Sequence, residues 1–336
     1  MDTICAAVGI DVSKKKLDVA LLINGKVKAK VVENSSQGHQ TLIDWFGKSK
    51  VPLSALHVCM EATGVYSEPV ALALHQAGFM VSVVNPACIK GFGHSENIRN
   101  KNDVIDAGLI ARYCVAMKPL PWNPPPLEQR QLRAWSLRVQ ALKDIRQQEE
   151  NRLEALSISG MEEVAQHVKQ HIAWLSAEIE KLERDISDHI DRHPGLKRDA
   201  DLLASIPGVG IATVARILGH LGDIRRFDSA KAFAAFLGVT PKQRSSGTSV
   251  KGRTVISRTG STSMRAALYM PSLVARRHNP ILHRFAERLA ATGMAKKAVI
   301  GAVMHKLAHL IYGVIHNGKP FDPNYLAKGL AIQDGI

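Results

Sequence analysis

The chain has 336 residues, 46% of them hydrophobic and 22% charged, a balance that excludes a disordered segment and leaves room for two or three domains with cores of their own. Lysine and arginine outnumber aspartate and glutamate by 44 to 30, giving a net charge of +14, and residues 241–300 alone hold 12 basic residues against one acid, Glu287. A block that basic expects a polyanion, most simply nucleic acid, because a merely solubilising surface mixes both signs.

Residues 6–33 alternate as a three-strand meander: Ala6–Asp11, then Leu17–Ile23 after Ser13-Lys14-Lys15-Lys16, then Lys26–Val32 after the turn Asn24-Gly25. A helix over 37–47 follows, then a strand Leu56–Glu61 and a helix near Ser67–Ala77. Next come a strand Phe79–Val84, stopped by Asn85-Pro86, and a helix from about Asn102 to Val115. Three antiparallel strands followed by αβαβα is the order of the RNase H-like fold, in which the first strand, the fourth strand and the last helix gather acids at one end of the sheet. Asp11 ends the first strand and Glu61 the fourth; Asp103 and Asp106, three apart at the helix start, project from one face. Carboxylates gathered this way repel one another unless cations sit between them. Hard oxygen ligands suit Mg²⁺, and paired Mg²⁺ ions suit phosphodiester chemistry. Any single acid is more simply a solvated loop residue; four in this order are not.

The stretch Lys118-Pro119-Leu120-Pro121-Trp122-Asn123-Pro124-Pro125-Pro126 reads as a stiff linker, with Trp122 as a packing anchor. Beyond it, Leu132, Trp135, Val139, Leu142, Leu153 and Leu156 form a helical seam interrupted by Arg146 and Glu149. Ile172, Leu175, Ile179, Leu182 and Ile186 form a cleaner one. Two long helices, paired as an antiparallel hairpin or with another subunit, fit that spacing. Around Ile206-Pro207-Gly208-Val209-Gly210, helix, Pro-Gly-x-Gly turn and helix make a helix-hairpin-helix pattern. There Gly208 and Gly210 would let backbone N–H groups approach a phosphate; the same string also serves as a tight helix corner. Then comes Lys242-Gln243-Arg244-Ser245-Ser246-Gly247-Thr248-Ser249 with Lys251 and Arg253, a hydroxyl-rich loop among cations suited to contact phosphate or to attack it. Arg258 and Arg265 extend the set expected to bind nucleic acid. His305 and His309, four apart beside Lys306, lack the Glu of a zinc-protease motif and are expected at the surface or on phosphate. Lys14-Lys15-Lys16 is equally a phosphate contact or a solvated turn.

These residues together resemble the DEDD (RuvC-like) insertion-sequence transposases, also called bridge-RNA-guided recombinases. The resemblance rests on Gly9-Ile10-Asp11, Glu61-Ala62-Thr63-Gly64, Arg99-Asn100-Lys101-Asn102-Asp103-Val104-Ile105-Asp106-Ala107, Ile206-Pro207-Gly208-Val209-Gly210, Thr240-Pro241 with Ser246-Gly247, and Met264-Arg265-Ala266-Ala267-Leu268-Tyr269. It implies that Asp11, Glu61, Asp103 and Asp106 are a metal-binding tetrad for two Mg²⁺ ions. It implies, too, that Ser246 is a nucleophile forming a transient phosphoserine, with Ser245 one loop shift away. It further implies donor and target DNA and a guide RNA as partners, and a homo-oligomer, a tetramer built as a dimer of dimers, in which tetrad and serine meet across subunits. The organisation expected is an α/β RuvC-like domain over 1–118, a linker over 119–126, a helical coiled coil over 127–198 and a mainly α transposase domain over 199–330.

Other classes fit less well. A RuvC-like nuclease or junction resolvase would use the same acids with water as nucleophile, and a non-catalytic nucleic-acid scaffold would give the acids structural roles. Gly9-Ile10-Asp11-Val12-Ser13 also resembles the first phosphate loop of actin-like sugar kinases, whose further Gly-rich motifs do not follow. Aromatic residues are only 5%, which argues against base-stacking platforms. The expected location is the bacterial cytoplasm, on the nucleoid, with no membrane partner. Met1-Asp2-Thr3 lacks a signal-peptide layout, and no apolar stretch reads as long enough, about 20 residues, to span a bilayer. Cys5, Cys59, Cys88 and Cys114 show no CxxC spacing and read as buried thiols rather than a zinc site.

Overall fold

Strand β1 (Ala6–Val12) is followed by β2 (Lys16–Ile23) and β3 (Lys26–Glu33), each antiparallel to the one before. Then come α1 (Ser36–Gly47), β4 (Leu56–Glu61), α2 (Glu68–Gln76), β5 (Met80–Val84), α3 (Pro86–Ser95) and α4 (Asp103–Met117). The sheet order is β3-β2-β1-β4-β5, with β4 parallel to both β1 and β5. The computed structural model describes residues 6–49, 51–96, 103–242, 245–246, 250–251, 254–257 and 259–324. The chain divides into two compact units, 1–124 and 125–336.

Both faces of the central strands are covered, and the period of two sorts their residues. Val8 and Ile10 of β1 join Leu42, Phe46, Val70 and Leu74 in the core beneath α1 and α2. Ala7 of β1 and Cys59 of β4 join Ile110 and Cys114 of α4 on the other face, and Ala20 of β2 joins Ala107 and Ala111. Much of the proline-rich stretch belongs to this first unit. The Trp122 amide donates to the Val81 carbonyl at 2.7 Å, and fully buried Ser82 Oγ lies 2.8 Å from the Leu120 carbonyl.

In the second unit, α5 (Leu127–Ile158) and α6 (Glu162–Arg192) form an antiparallel hairpin. Leu132, Val139 and Leu142 of α5 share one core with Ile179, Ile186 and Ile190 of α6. Farther out, the polar pairs Lys143–Glu183 at 2.7 Å and Arg146 on Ser176 at 3.3 Å accompany buried Leu175, Val168 and Ala165. Helices α7 (Pro194–Ala204), α8 (Ile211–Leu221) and α9 (Ala230–Phe236) follow. Among the described residues, four two-residue strands come next: β6 (Pro241–Lys242), β7 (Ser245–Ser246), β8 (Val250–Lys251) and β9 (Val255–Ile256). Helices α10 (Thr262–His278), α11 (Pro280–Ala291) and α12 (Lys296–Asn317) complete the unit. Against the sequence expectation, α12 is long and apolar enough to cross a membrane by length and composition alone. Its Val299, Val303, Leu307 and Ile311 are buried in the common core with residues of α7, α9, α10 and α11, which is the need its apolarity meets.

Carboxylates at the sheet end and a serine hairpin

The register of β1 on β4 runs from Ala6↔Leu56 to Ile10↔Met60, so the next residues, Asp11 and Glu61, stand abreast on strands about 4.8 Å apart. Both follow by two residues a position on the α4 face, Gly9 and Cys59, and therefore face α4 as well. A Cβ at Gly9 would lie 2.1 Å from the Ala107 carbonyl oxygen and 2.4 Å from the Ala111 amide nitrogen, so the α4 backbone rests directly on β1. Earlier in the strand, Ala7 packs with Ile110 and Cys114. Helix α4 therefore runs against β1, and its first turn, carrying Asp103 and Asp106, lies at the strand ends where Asp11 and Glu61 stand. The positive end of the helix dipole favours acids there.

Asp106 is half-buried; the side chain of Asp103 lies outside the described residues. Among the described residues no three His, Cys, Asp or Glu side chains stand close enough to hold a metal. The structure thus brings together two strand acids and a helix start. The donors are carboxylate oxygens throughout, which fits a hard divalent cation such as Mg²⁺ rather than a thiophilic one.

A fifth acid joins this end of the sheet. Asp18 of β2 is 4% exposed, sits directly opposite Asp11, and pairs with Lys16 at 3.1 Å. Opposed like charges destabilise a sheet, and the Lys16 ammonium offsets one of them. The sequence does carry a signal for Asp18, a single acid inside the apolar run Leu17–Ile23. Of the three lysines, Lys14 and Lys15 are exposed in the turn and Lys16 is tied to Asp18.

Ser246 stands on a hairpin. The outer pairs are Pro241↔Ile256 and Lys242↔Val255, the inner pairs Ser245↔Lys251 and Ser246↔Val250, with the register offset by one residue between them. Lys251 therefore opposes Ser245, not Ser246. Arg244, Arg253, Arg258 and Gly247 lie outside the described residues, as do the side chains of Ser245, Ser246 and Lys251; Lys242 is exposed. At the hairpin base the Ser257 amide donates to the Thr240 carbonyl at 2.8 Å, and the Ser261 amide to the Phe236 carbonyl at 2.9 Å. Arg265, expected on nucleic acid, donates from Nη1 to the Gly238 carbonyl at 3.0 Å and from Nη2 to Thr262 Oγ1 at 3.2 Å.

Two sequence expectations change here. His305 and His309 are half-buried rather than surface residues, with rings 4.5 Å apart. Burial and Lys306 hold both pKa values below the usual range, and the His305 ring and Lys231 push His309 further, to about 4. Cys88 is exposed, unlike Cys59 and Cys114. At the Pro-Gly-x-Gly turn, a Cβ at Gly208 would lie 2.7 Å from Ala275 of α10, whereas Gly210, the N-cap of α8, has open space beside it. Gly208 thus forms a tight corner against α10, and the open side of the turn is at Gly210.

Residues 8–156 match the DEDD transposase family profile of IS110-type elements, and residues 200–287 match the profile described as transposase IS116/IS110/IS902 family. Over 316 residues the chain is 34% identical to the pilin gene-inverting protein of Moraxella bovis, covering 94% of this chain and 97% of that one. The pilin gene-inverting protein of Moraxella lacunata matches to the same extent. The transposase for insertion sequence element IS1328 of Yersinia enterocolitica is 29% identical over 160 residues, 45% of each chain. A solved chain titled T. thermophilus RuvC in complex with Holliday junction substrate aligns with 34% of this chain and 98% of its own at 15% identity. Its TM-score of 0.26 is too low to carry the fold, which stands on the strand order itself.

Proposed function

The chain belongs to the IS110-type family of DEDD transposases and is an enzyme of DNA recombination, and from that premise we propose that it breaks and rejoins DNA strands with the sheet-end carboxylates and the Ser246 hydroxyl acting on one phosphate. The observation that carries the proposal is the placement of Asp11 and Glu61 abreast beneath the start of α4. Asp11, Glu61, Asp103 and Asp106 would hold Mg²⁺, two ions in the full site. Bound there, the metal supplies charge stabilisation for the entering and leaving oxygens of an in-line displacement.

The chain's own groups do the rest. Ser246 Oγ forms a bond to phosphorus as one DNA oxygen departs, and the freed strand end takes up a proton. A hydroxyl of the partner duplex then attacks the phosphoserine, and Ser246 recovers its proton. A serine hydroxyl is a weak nucleophile, so the reaction depends on electrostatic stabilisation of the five-coordinate transition state. Arg244, Lys251 and Arg253, close to Ser246 in sequence, would clamp the non-bridging oxygens; Lys242 and Arg258 would track the backbone. The open α8 start at Gly210 would receive a phosphate. A guide RNA, a tetramer of two dimers with tetrad and serine meeting across subunits, and residence on the nucleoid belong to the same proposal. The +14 charge supports a nucleic-acid partner, while the guide RNA rests on the family resemblance alone. The names of the Moraxella relatives describe inversion of a gene, a strand-exchange reaction of the kind proposed.

The test uses donor and target DNA, Mg²⁺ and RNA transcribed from the flanking DNA, with wild-type protein, Asp11→Ala and Ser246→Ala. Both variants should lose strand rejoining. If Ser246→Ala still cleaves at the wild-type rate, the enzyme is a water-using nuclease and the serine proposal fails.

A further inference from the structure

We propose that Arg265 is a positioning residue for the serine hairpin: its guanidinium joins the two ends of the segment that carries Ser246, and so fixes where that hydroxyl stands, without touching nucleic acid. The inference rests on the reading that Ser246 is the nucleophile.

A two-stranded hairpin is marginal in water and does not hold itself in one place. Something at the base must. Gly238 directly precedes the stretch 239–256 that contains all four strands, and Ser257 directly follows it. Arg265 reaches both, with Nη1 3.0 Å from the Gly238 carbonyl oxygen and 3.5 Å from that of Ser257. The Nη2 bond to Thr262 Oγ1, three residues back on the same helix, fixes the plane of the fork. At the same level the Ser257 amide bonds the Thr240 carbonyl, and a Cβ on Gly260 would lie 2.6 Å from the Gly238 Cα, so the two ends cross in close contact. A planar guanidinium can serve two carbonyls from one nitrogen in fixed geometry; a lysine ammonium on its flexible stem does not reproduce that fork. Three of the five N–H donors of this guanidinium are thus directed at partners within the protein.

The experiment compares full-length wild-type protein with Arg265→Lys, Arg265→Gln and Gly238→Ala. The last keeps every charge but places a Cβ 2.6 Å from Nη1. Three quantities are read: the rate of Ser246-dependent covalent adduct formation at saturating DNA, the DNA Kd as a function of salt, and amide hydrogen exchange. The expected result is a fall in adduct rate of roughly 10- to 100-fold in all three variants, the scale of a ~1 Å misplacement. Kd should stay within about twofold and its salt slope unchanged, and faster exchange should be confined to residues 239–257. A weaker Kd with the slope shallower by about 0.9 would make Arg265 a phosphate contact and overturn the inference. A wild-type adduct rate in Arg265→Lys would overturn it too, as would loss of exchange protection throughout the second unit, which marks a purely structural residue. Should Ser246→Ala itself form the adduct, the nucleophile reading falls instead, while the salt slope and exchange pattern still judge the clamp.

Discussion

Replacing Gly9 by alanine tests how the acids are brought together. The added methyl would lie 2.1 Å from the Ala107 carbonyl oxygen and 2.4 Å from the Ala111 amide nitrogen, both backbone atoms that cannot rotate away. An ordinary contact requires α4 to retreat by about 1 Å, an overpacking that costs about 1–3 kcal/mol. The same retreat lifts Asp103 and Asp106 away from Asp11 and Glu61, and a shift of ~1 Å at a reacting centre costs on the order of 100-fold in rate. Gly108→Ala is the control: its Cβ meets nothing nearer than Arg112 Nη1 at 3.5 Å, and alanine inside a helix should stabilise by about 0.5–1 kcal/mol. The assay is thermal melting together with the initial rate of Mg²⁺-dependent strand rejoining. Gly9→Ala should melt several degrees lower and rejoin far more slowly, with Gly108→Ala at or above wild type in melting. A Gly9→Ala protein equal to wild type in both would refute the seating of α4 on β1 and the site built from it.

Asp18→Asn removes the carboxylate paired with Lys16 and should lower the urea midpoint by an amount equivalent to about 1 kcal/mol, a modest figure because Lys16 is half-solvated; an unchanged midpoint would show that the pair contributes nothing. DNA affinity should fall steeply with salt. If the basic block covers six or more phosphates, log K against log salt has a slope of about −5 or steeper, and a slope near −1 would remove the block from the interface. Burial, Lys306, Lys231 and the paired ring hold His309 at about 4, below its value in the unfolded chain of about 6.5. As pH falls the unfolded chain takes up the proton first, so this part of the stability is complete above about pH 6.5 and is lost towards pH 4. Urea midpoints at pH 7.5 and 5 should differ more in wild type than in His309→Gln; equal differences would contradict the burial argument.

The meander and the two strand acids were legible because β1 and β4 are apolar runs interrupted by charge only at their ends, which shows directly in one dimension. Asp18 was hidden inside a strand; only the register opposite Asp11 gives it meaning, and register depends on a turn whose geometry residue types do not reveal. Asn85-Pro86 reads as a stop after β5, yet it is also a helix start: Asn85 Oδ1 accepts from the Ala87 amide and proline occupies the first turn of α3. Proline content suggested a stiff linker, but the Ser82 hydroxyl and the Val81 carbonyl hold residues 119–122 on β5 through hydrogen bonds that composition cannot show. Arg265 was counted with the cations because charge is visible in sequence and a carbonyl partner is not. The inward placement of His305 and His309 likewise depends on packing around α12.

The most direct measurement of the central claim is peptide mapping of a trapped protein–DNA adduct. Wild-type protein incubated with DNA, RNA and Mg²⁺ should yield DNA linked to Ser246, and Asp11→Ala should yield none. An adduct on any other residue, or one that forms at the wild-type rate without Asp11, would contradict the account.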